Sequence, residues 1–113
     1  MHFRRTSASG SARAIALNYL FHPGARTEHL DLLGFYASRR AGLGARYLET
    51  FEMVMQRVCR APKQFPIEQA PGIRRCRVAG FPYNVLYRER EGLIEVLAVA
   101  GHRQRPRYWI SRA

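Results

Sequence analysis

Lysine is almost absent from this sequence: Lys63 is the only one among 19 basic side chains. Acid is scarce as well, with 8 aspartates and glutamates, and the formal net charge is +11. No run of about 18 apolar residues occurs, which excludes a helical membrane span, and no membrane partner is expected. Residues 1–13 carry arginine, serine and alanine but no apolar core ahead of a cleavage site, so they do not resemble a secretory signal. They are expected to form a flexible basic arm, with residues 14–113 as a single domain. Cys59 and Cys76 are far apart and lack any CxxC or Cys/His spacing. That argues against structural zinc and for buried free thiols in a reducing cytoplasm. His22, His29 and His102 show no metal-ligand spacing, and there is no glycine-rich phosphate loop, no GxSxG and no internal repeat. Neither a metal nor a cofactor is expected.

What is present points to one compact unit. With 47% hydrophobic and 12% aromatic residues the chain is too apolar for a disordered basic tail. Its 113 residues are too few for two ordinary domains, or for folds that need about 200 residues. The basic excess is uneven: residues 72–113 hold 9 basic and 3 acidic side chains, a net +6 of the +11. Arginine presents a planar fork of donors matched to phosphate or carboxylate. An anionic partner follows, either nucleic acid or an acidic protein segment.

The pattern along the chain predicts an α+β fold. Ile15 to His22 has strand character and is closed by Pro23-Gly24. From Ala25 to Arg40 the period becomes helical, with Leu30, Leu33 and Ala37 on the apolar face and His29, Leu32 and Tyr36 beside them. Glu28 and Asp31 are expected in the first turn of this helix and Arg39-Arg40 in its last. Ala41-Gly42 breaks it. In a second helix Tyr47, Leu48, Phe51, Val54, Met55 and Val58 line one side, and Pro62 stops it. So short a link predicts an antiparallel helix hairpin. Residues 63–72 are expected to be a loop. Three strands follow: Ile73–Ala79, Tyr83–Arg88 and Leu93–Ala100, the last apolar enough to be covered on both faces. Glu91-Gly92 marks a hairpin turn. The order is β-α-α-β-β-β, a small antiparallel-dominated sheet packed on a helix hairpin, ending in a basic, aromatic C-terminal segment.

Several residue groups, in this order and spacing, carry a resemblance. They are Phe21-His22-Pro23-Gly24-Ala25, Leu43-Gly44, Pro62 with Phe65-Pro66, Ile73-Arg74-Arg75, and Phe81-Pro82-Tyr83. Leu86-Tyr87-Arg88, Val96-Leu97-Ala98-Val99, Arg105-Pro106 and Tyr108-Trp109 complete the set. Together they span roughly residues 15–112, and the chain resembles the RelE/ParE superfamily of toxins from bacterial type II toxin–antitoxin modules, which includes plasmid stabilisation proteins. The resemblance implies a small basic cytoplasmic toxin that inhibits growth and is held inactive by a cognate acidic antitoxin. One branch cleaves messenger RNA on the ribosome; the ParE branch inhibits DNA gyrase. The Arg-Pro-x-Tyr-Trp ending and the scarcity of lysine place this chain nearer the ParE side. A third possibility is an inactive remnant that still binds an antitoxin.

The ribonuclease alternative defines candidate chemistry. Metal-free cleavage needs a base for the 2′-hydroxyl, cations on the phosphorane and an acid for the leaving oxygen. His102 is the one imidazole in the basic final third, and imidazole is the side chain that titrates near neutral pH. His102 or Tyr108 would act as base or acid, with Arg75, Arg77, Arg103 and Arg105 on the phosphate. For antitoxin or target binding the candidates are Arg74, Arg75, Arg77, Arg88, Arg103, Arg105, Arg107 and Arg112. The plainer roles are solvated strand arginines, a His102 that merely ends its strand, and a Tyr108-Trp109 pair that pins the tail to the sheet.

Overall fold

The computed structural model describes residues 17–113; the basic arm expected over residues 1–13 lies outside the described residues. Strand β1 (Asn18–Phe21) leads into helices α1 (Pro23–Arg39) and α2 (Leu43–Arg60). Strands β2 (Ile67–Gln69), β3 (Ile73–Arg77), β4 (Tyr83–Arg90) and β5 (Leu93–Gly101) follow. The sheet order is β1-β5-β4-β3-β2, with β1 parallel to β5 and every other pair antiparallel. This is the α+β arrangement that the sequence pattern predicts, with β2 as an additional edge strand inside the expected loop. A strand of three residues set between Pro66 and Pro71 is too short to show a strand period, and prolines are tolerated at a sheet edge.

Helix α1 starts two residues earlier than its periodicity indicates. Proline is favoured at the first helical position because its missing N–H is not needed there. His22 caps the helix, its Nδ1 accepting from the Gly24 N–H at 3.0 Å. The earlier start moves Glu28 and Asp31 out of the first turn, which contains no acid. Glu28 then faces the sheet rather than complementing the helix dipole. The apolar face is also narrower than predicted: Ala25 and His29 are buried, Leu32, Leu33 and Tyr36 partly so, while Leu30 and Ala37 are exposed. Gly42, at φ 83°, turns the chain between the helices. Gly44 lets them approach closely, since a Cβ there would sit 2.8 Å from that of Ala37.

Helix α2 supplies the main seam. Tyr47, Phe51, Val54, Met55, Val58 and Cys59 recur at helical spacing and are all buried against β1 and the near face of β3–β5. His29 is buried among them. Its Nδ1 lies 3.1 Å from the Tyr47 hydroxyl, and its ring is 4.2 Å from that of Phe51. Both cysteines are free and buried in the same cluster. Burial pushes the Cys59 thiol up to about 12 and raises that of Cys76, which holds both in the unreactive protonated form.

The far face of the sheet carries a second cluster of Ile73, Leu86, Leu97, Ala98 and Trp109. A register shift in the β4–β5 ladder, from Leu86↔Ala98 to Tyr87↔Val96, leaves Leu97 without an opposite residue. The bulge lets two successive residues, Leu97 and Ala98, face the same side, while Val96 and Val99 face the helices. The apolar run in β5 is thus covered on both faces: by the helices on one, and by the returning tail with Trp109 on the other.

Two outcomes are expected. Burial lowers the His29 pKa from 6.5 to about 4, so the unfolded chain takes up a proton more readily than the folded one. Stability therefore falls as pH drops from 6.5 towards 4, by about 3 kcal/mol in full. Urea denaturation at pH 7 and pH 5 should show about 2 kcal/mol of this loss in the parent and lack it in His29→Phe. Separately, Trp109→Ala should destabilise by about 3 kcal/mol through the cavity it leaves, read as a drop in Tm by thermal denaturation.

Candidate functional site: the basic face and its tail

Strand β1 stops at Phe21, opposite Val96, although β5 runs on to Gly101. The last N–H groups of β5 therefore turn outward and need other acceptors. Gln104 takes the Gly101 N–H at 2.7 Å, and Glu28, reaching from α1, takes that of Val99 at 2.9 Å. The same carboxylate gathers the tail. The Tyr108 hydroxyl donates to Glu28 at 2.8 Å, and Arg112 donates to both of its oxygens at 3.2 and 3.0 Å. Arg112 also donates to the Leu97 carbonyl at 3.0 Å and lies over the Tyr108 ring. Gly24 makes room, since a Cβ there would lie 2.6 Å from the guanidinium carbon of Arg112. Burial and the Glu28 carboxylate raise the Tyr108 pKa strongly, so this hydroxyl stays protonated.

The tail so anchored walls a cleft of about 400 Å³ on the far face of the sheet. Arg75, Asn84, His102, Arg105, Arg107 and Tyr108 are among its lining residues. His102 sits at its lip. The His102 backbone N–H donates to the Pro82 carbonyl at 3.2 Å, and its Nε2 lies 3.4 Å from the Arg77 guanidinium. On the other side of His102 a groove of about 720 Å³ runs between α1 and the β4–β5 end, past Asp31, Phe35, Tyr83 and Arg103. His102 is thus shared by two depressions, one strongly basic and one mixed.

The candidate residues divide by what holds them. His102 and Arg77 are adjacent, and Arg75, Arg105 and Arg107 open onto the same cleft. Arg75 pairs with Glu68 at 3.3 Å across exposed surface, a contact worth little. Arg103 faces the other groove. Three arginines are committed to the fold. Arg74 donates to the Lys63 and Phe65 carbonyls, Arg88 pairs with Glu95 at 2.9 Å, and Arg112 is locked to Glu28. Trp109 is buried and pins the tail. Glu28 has no signature in the sequence, because its partners lie 71 to 84 residues away. Among the described residues no group of three His, Cys, Asp or Glu side chains is placed to hold a metal ion, and no helix is long and apolar enough to cross a membrane.

Comparison with known proteins fits this geometry to a family. The sequence model described as the ParE toxin of the type II toxin-antitoxin system, parDE, matches residues 19–106, most of the chain. The chain belongs to the ParE toxin family. Among solved structures, the chromosomal ParDE toxin–antitoxin system from P. aeruginosa shares the fold, with a TM-score of 0.61 at 13% identity. The alignment covers 74% of this chain and 92% of that one. No curated relative matches the sequence. The ParE match ends at residue 106 and so stops short of Tyr108, Trp109 and Arg112, the residues that fix the tail here.

Replacing Glu28 with Ala should cost about 2 to 3 kcal/mol. That is below the loss for a fully buried pair, because Arg112 and Glu28 keep 19% and 18% of their side-chain surface exposed. As Trp109 is the only tryptophan, its emission should shift to the red and become open to iodide quenching in this variant, reporting release of the tail.

Proposed function

We propose that this chain is a toxin that acts in the cytoplasm by inhibiting DNA gyrase and is neutralised by a cognate acidic antitoxin. Membership of the ParE family supports the gyrase reading, and one structural observation carries it further. The Tyr108 hydroxyl, the candidate acid or base nearest the basic cleft besides His102, is committed to Glu28 and held protonated. Arg105 and Arg107 meanwhile stand exposed on the cleft, with Arg77 exposed beside His102 and Arg103 on the neighbouring groove. Cations without an opposed acid–base pair form a surface that binds an anionic partner.

The pairing of His102 with Arg77 favours one other reading. A guanidinium 3.4 Å from the imidazole would hold a phosphate beside a proton acceptor, as metal-free cleavage of messenger RNA on the ribosome requires. The two readings separate cleanly. Under the gyrase reading, purified toxin abolishes supercoiling in vitro, cellular messenger RNA stays intact by primer extension, and His102→Ala retains most of the inhibition. Cleavage within codons together with normal supercoiling would overturn it. Under either reading, co-expression of an antitoxin restores growth; an induced toxin that leaves growth unaffected without antitoxin would identify an inactive binder.

A further inference from the structure

The tail that walls the basic cleft carries a strained arginine. The Tyr108 N–H donates to the Arg105 carbonyl at 3.3 Å, so residues 105–108 form a four-residue turn with Pro106 at its second position. Arg107, at the third, has φ 61°. That is the left-handed region, which a turn of this kind fills with glycine or asparagine. An arginine is held there against its backbone preference, and strain of this sort gathers where a side chain is needed for binding. Arg105 and Arg107 both open onto the cleft.

Strand register supplies the floor and the opposite bank. Arg77 lies opposite Asn84, and Asn84 opposite Ala100. In the next row Arg75 lies opposite Leu86, and Leu86 opposite Ala98. Cross-strand partners share a face. Arg75 and Arg77 therefore stand on the tail side, about 7 Å apart along β3, beside a floor of Asn84, Leu86 and Ala100. Among the described residues that line the cleft, Glu68 is the one carboxylate, and it meets Arg75 only across exposed surface. Arg77, Arg105 and Arg107 have no carboxylate partner among the described residues. The half-buried Asn84 amide makes no side-chain hydrogen bond to them either.

Two cationic banks over an apolar floor with a free amide select the occupant. The floor strands β4 and β5 spend their backbone groups on the ladder, and the outward N–H groups of Val99 and Gly101 are taken by Glu28 and Gln104. A peptide laid on this face would bury its own amides without partners, which is costly. A nucleic acid backbone has no such donors to satisfy. Its phosphates match the guanidinium forks, and an unpaired base can lie on Leu86 and Ala100 with its edge at Asn84, an amide suited to reading base edges. In a duplex the base faces are stacked away from such a floor. We propose that this cleft binds single-stranded DNA, with phosphates on the two arginine banks and a base on the floor between them. The choice of DNA over RNA rests on the gyrase reading, because supercoiling acts on DNA. The site would give the toxin a grip on the nucleic acid as well as on the enzyme that holds it.

Fluorescence anisotropy of a short labelled DNA strand with the full chain, in the absence of gyrase, reads the site directly. The strand should bind about tenfold more tightly than its duplex, since only the single strand can place a base on the floor. Arg105→Gln should reduce the salt dependence of binding by a slope of about 0.7, one phosphate contact on a single strand. Arg107→Gly separates binding from folding. Glycine relaxes the turn, so the Tm should not fall, while affinity for the strand drops about tenfold. An Arg107→Gly chain that binds as tightly as the parent would overturn the proposal. So would equal binding of strand and duplex, a tenfold preference for RNA of the same sequence, or displacement of the strand by a polyglutamate peptide at equal charge concentration. Supercoiling is assayed separately. A toxin that inhibits gyrase yet binds no strand defeats the site alone, and one that binds the strand but leaves supercoiling normal defeats the gyrase reading.

Discussion

The carboxylate of Glu28 is the joint on which the far half of this molecule depends. It accepts from a strand amide, a phenol and both arms of a guanidinium. A charged acceptor with four donors in place of water is stronger than any one of these contacts alone, and its loss would leave a guanidinium and an amide stranded together. Without it the end of β5 would be an open edge, the tail would have no anchor on α1, and the basic cleft would lack a wall. The charge that looks like surplus in the composition is therefore divided. Part of it is held inside the fold, Arg88 and Arg112 on carboxylates and Arg74 on backbone carbonyls, and the remainder is displayed.

The sheet has two apolar faces of unequal kind, and that difference positions the site. The helix hairpin covers one face with a continuous apolar seam from Tyr47 to Val58. The other is sealed by Trp109 and its neighbours over a much smaller area, leaving the strand ends around Arg75, Arg77 and His102 uncovered. The bulge at Leu97 reconciles the two by turning two adjacent residues to the tail side. It sits where the Leu97 carbonyl meets Arg112.

Much of this architecture was legible in residue order. The helix hairpin follows from the period of Tyr47, Phe51, Val54 and Val58, and the doubly covered strand follows from the run at Leu93–Ala100, apolar but for Glu95. Local chemistry misled at α1, where proline began the helix early and carried Glu28 to the sheet side. Strand β2 was hidden because three residues between prolines have no period to read. In the candidate site, the closeness of His102 to Arg77 was not visible at a separation of 25 residues. Nor could spacing distinguish Arg112, which is internal, from Arg107, which is exposed. Pairings of that range are set by strand register and by the path of the tail, not by neighbouring sequence.

The distance between Glu28 and Arg112, 84 residues along the chain, also has a consequence in time. Synthesis runs from the N-terminus, so α1 and its carboxylate emerge long before the donors that satisfy it. The helix hairpin, built from local contacts, can form early, whereas the tail-side face closes only after Arg112 has left the ribosome. During synthesis the residues of the helix hairpin are therefore all present before the tail that closes the far face, so the last donors to Glu28 arrive on a carboxylate already in place.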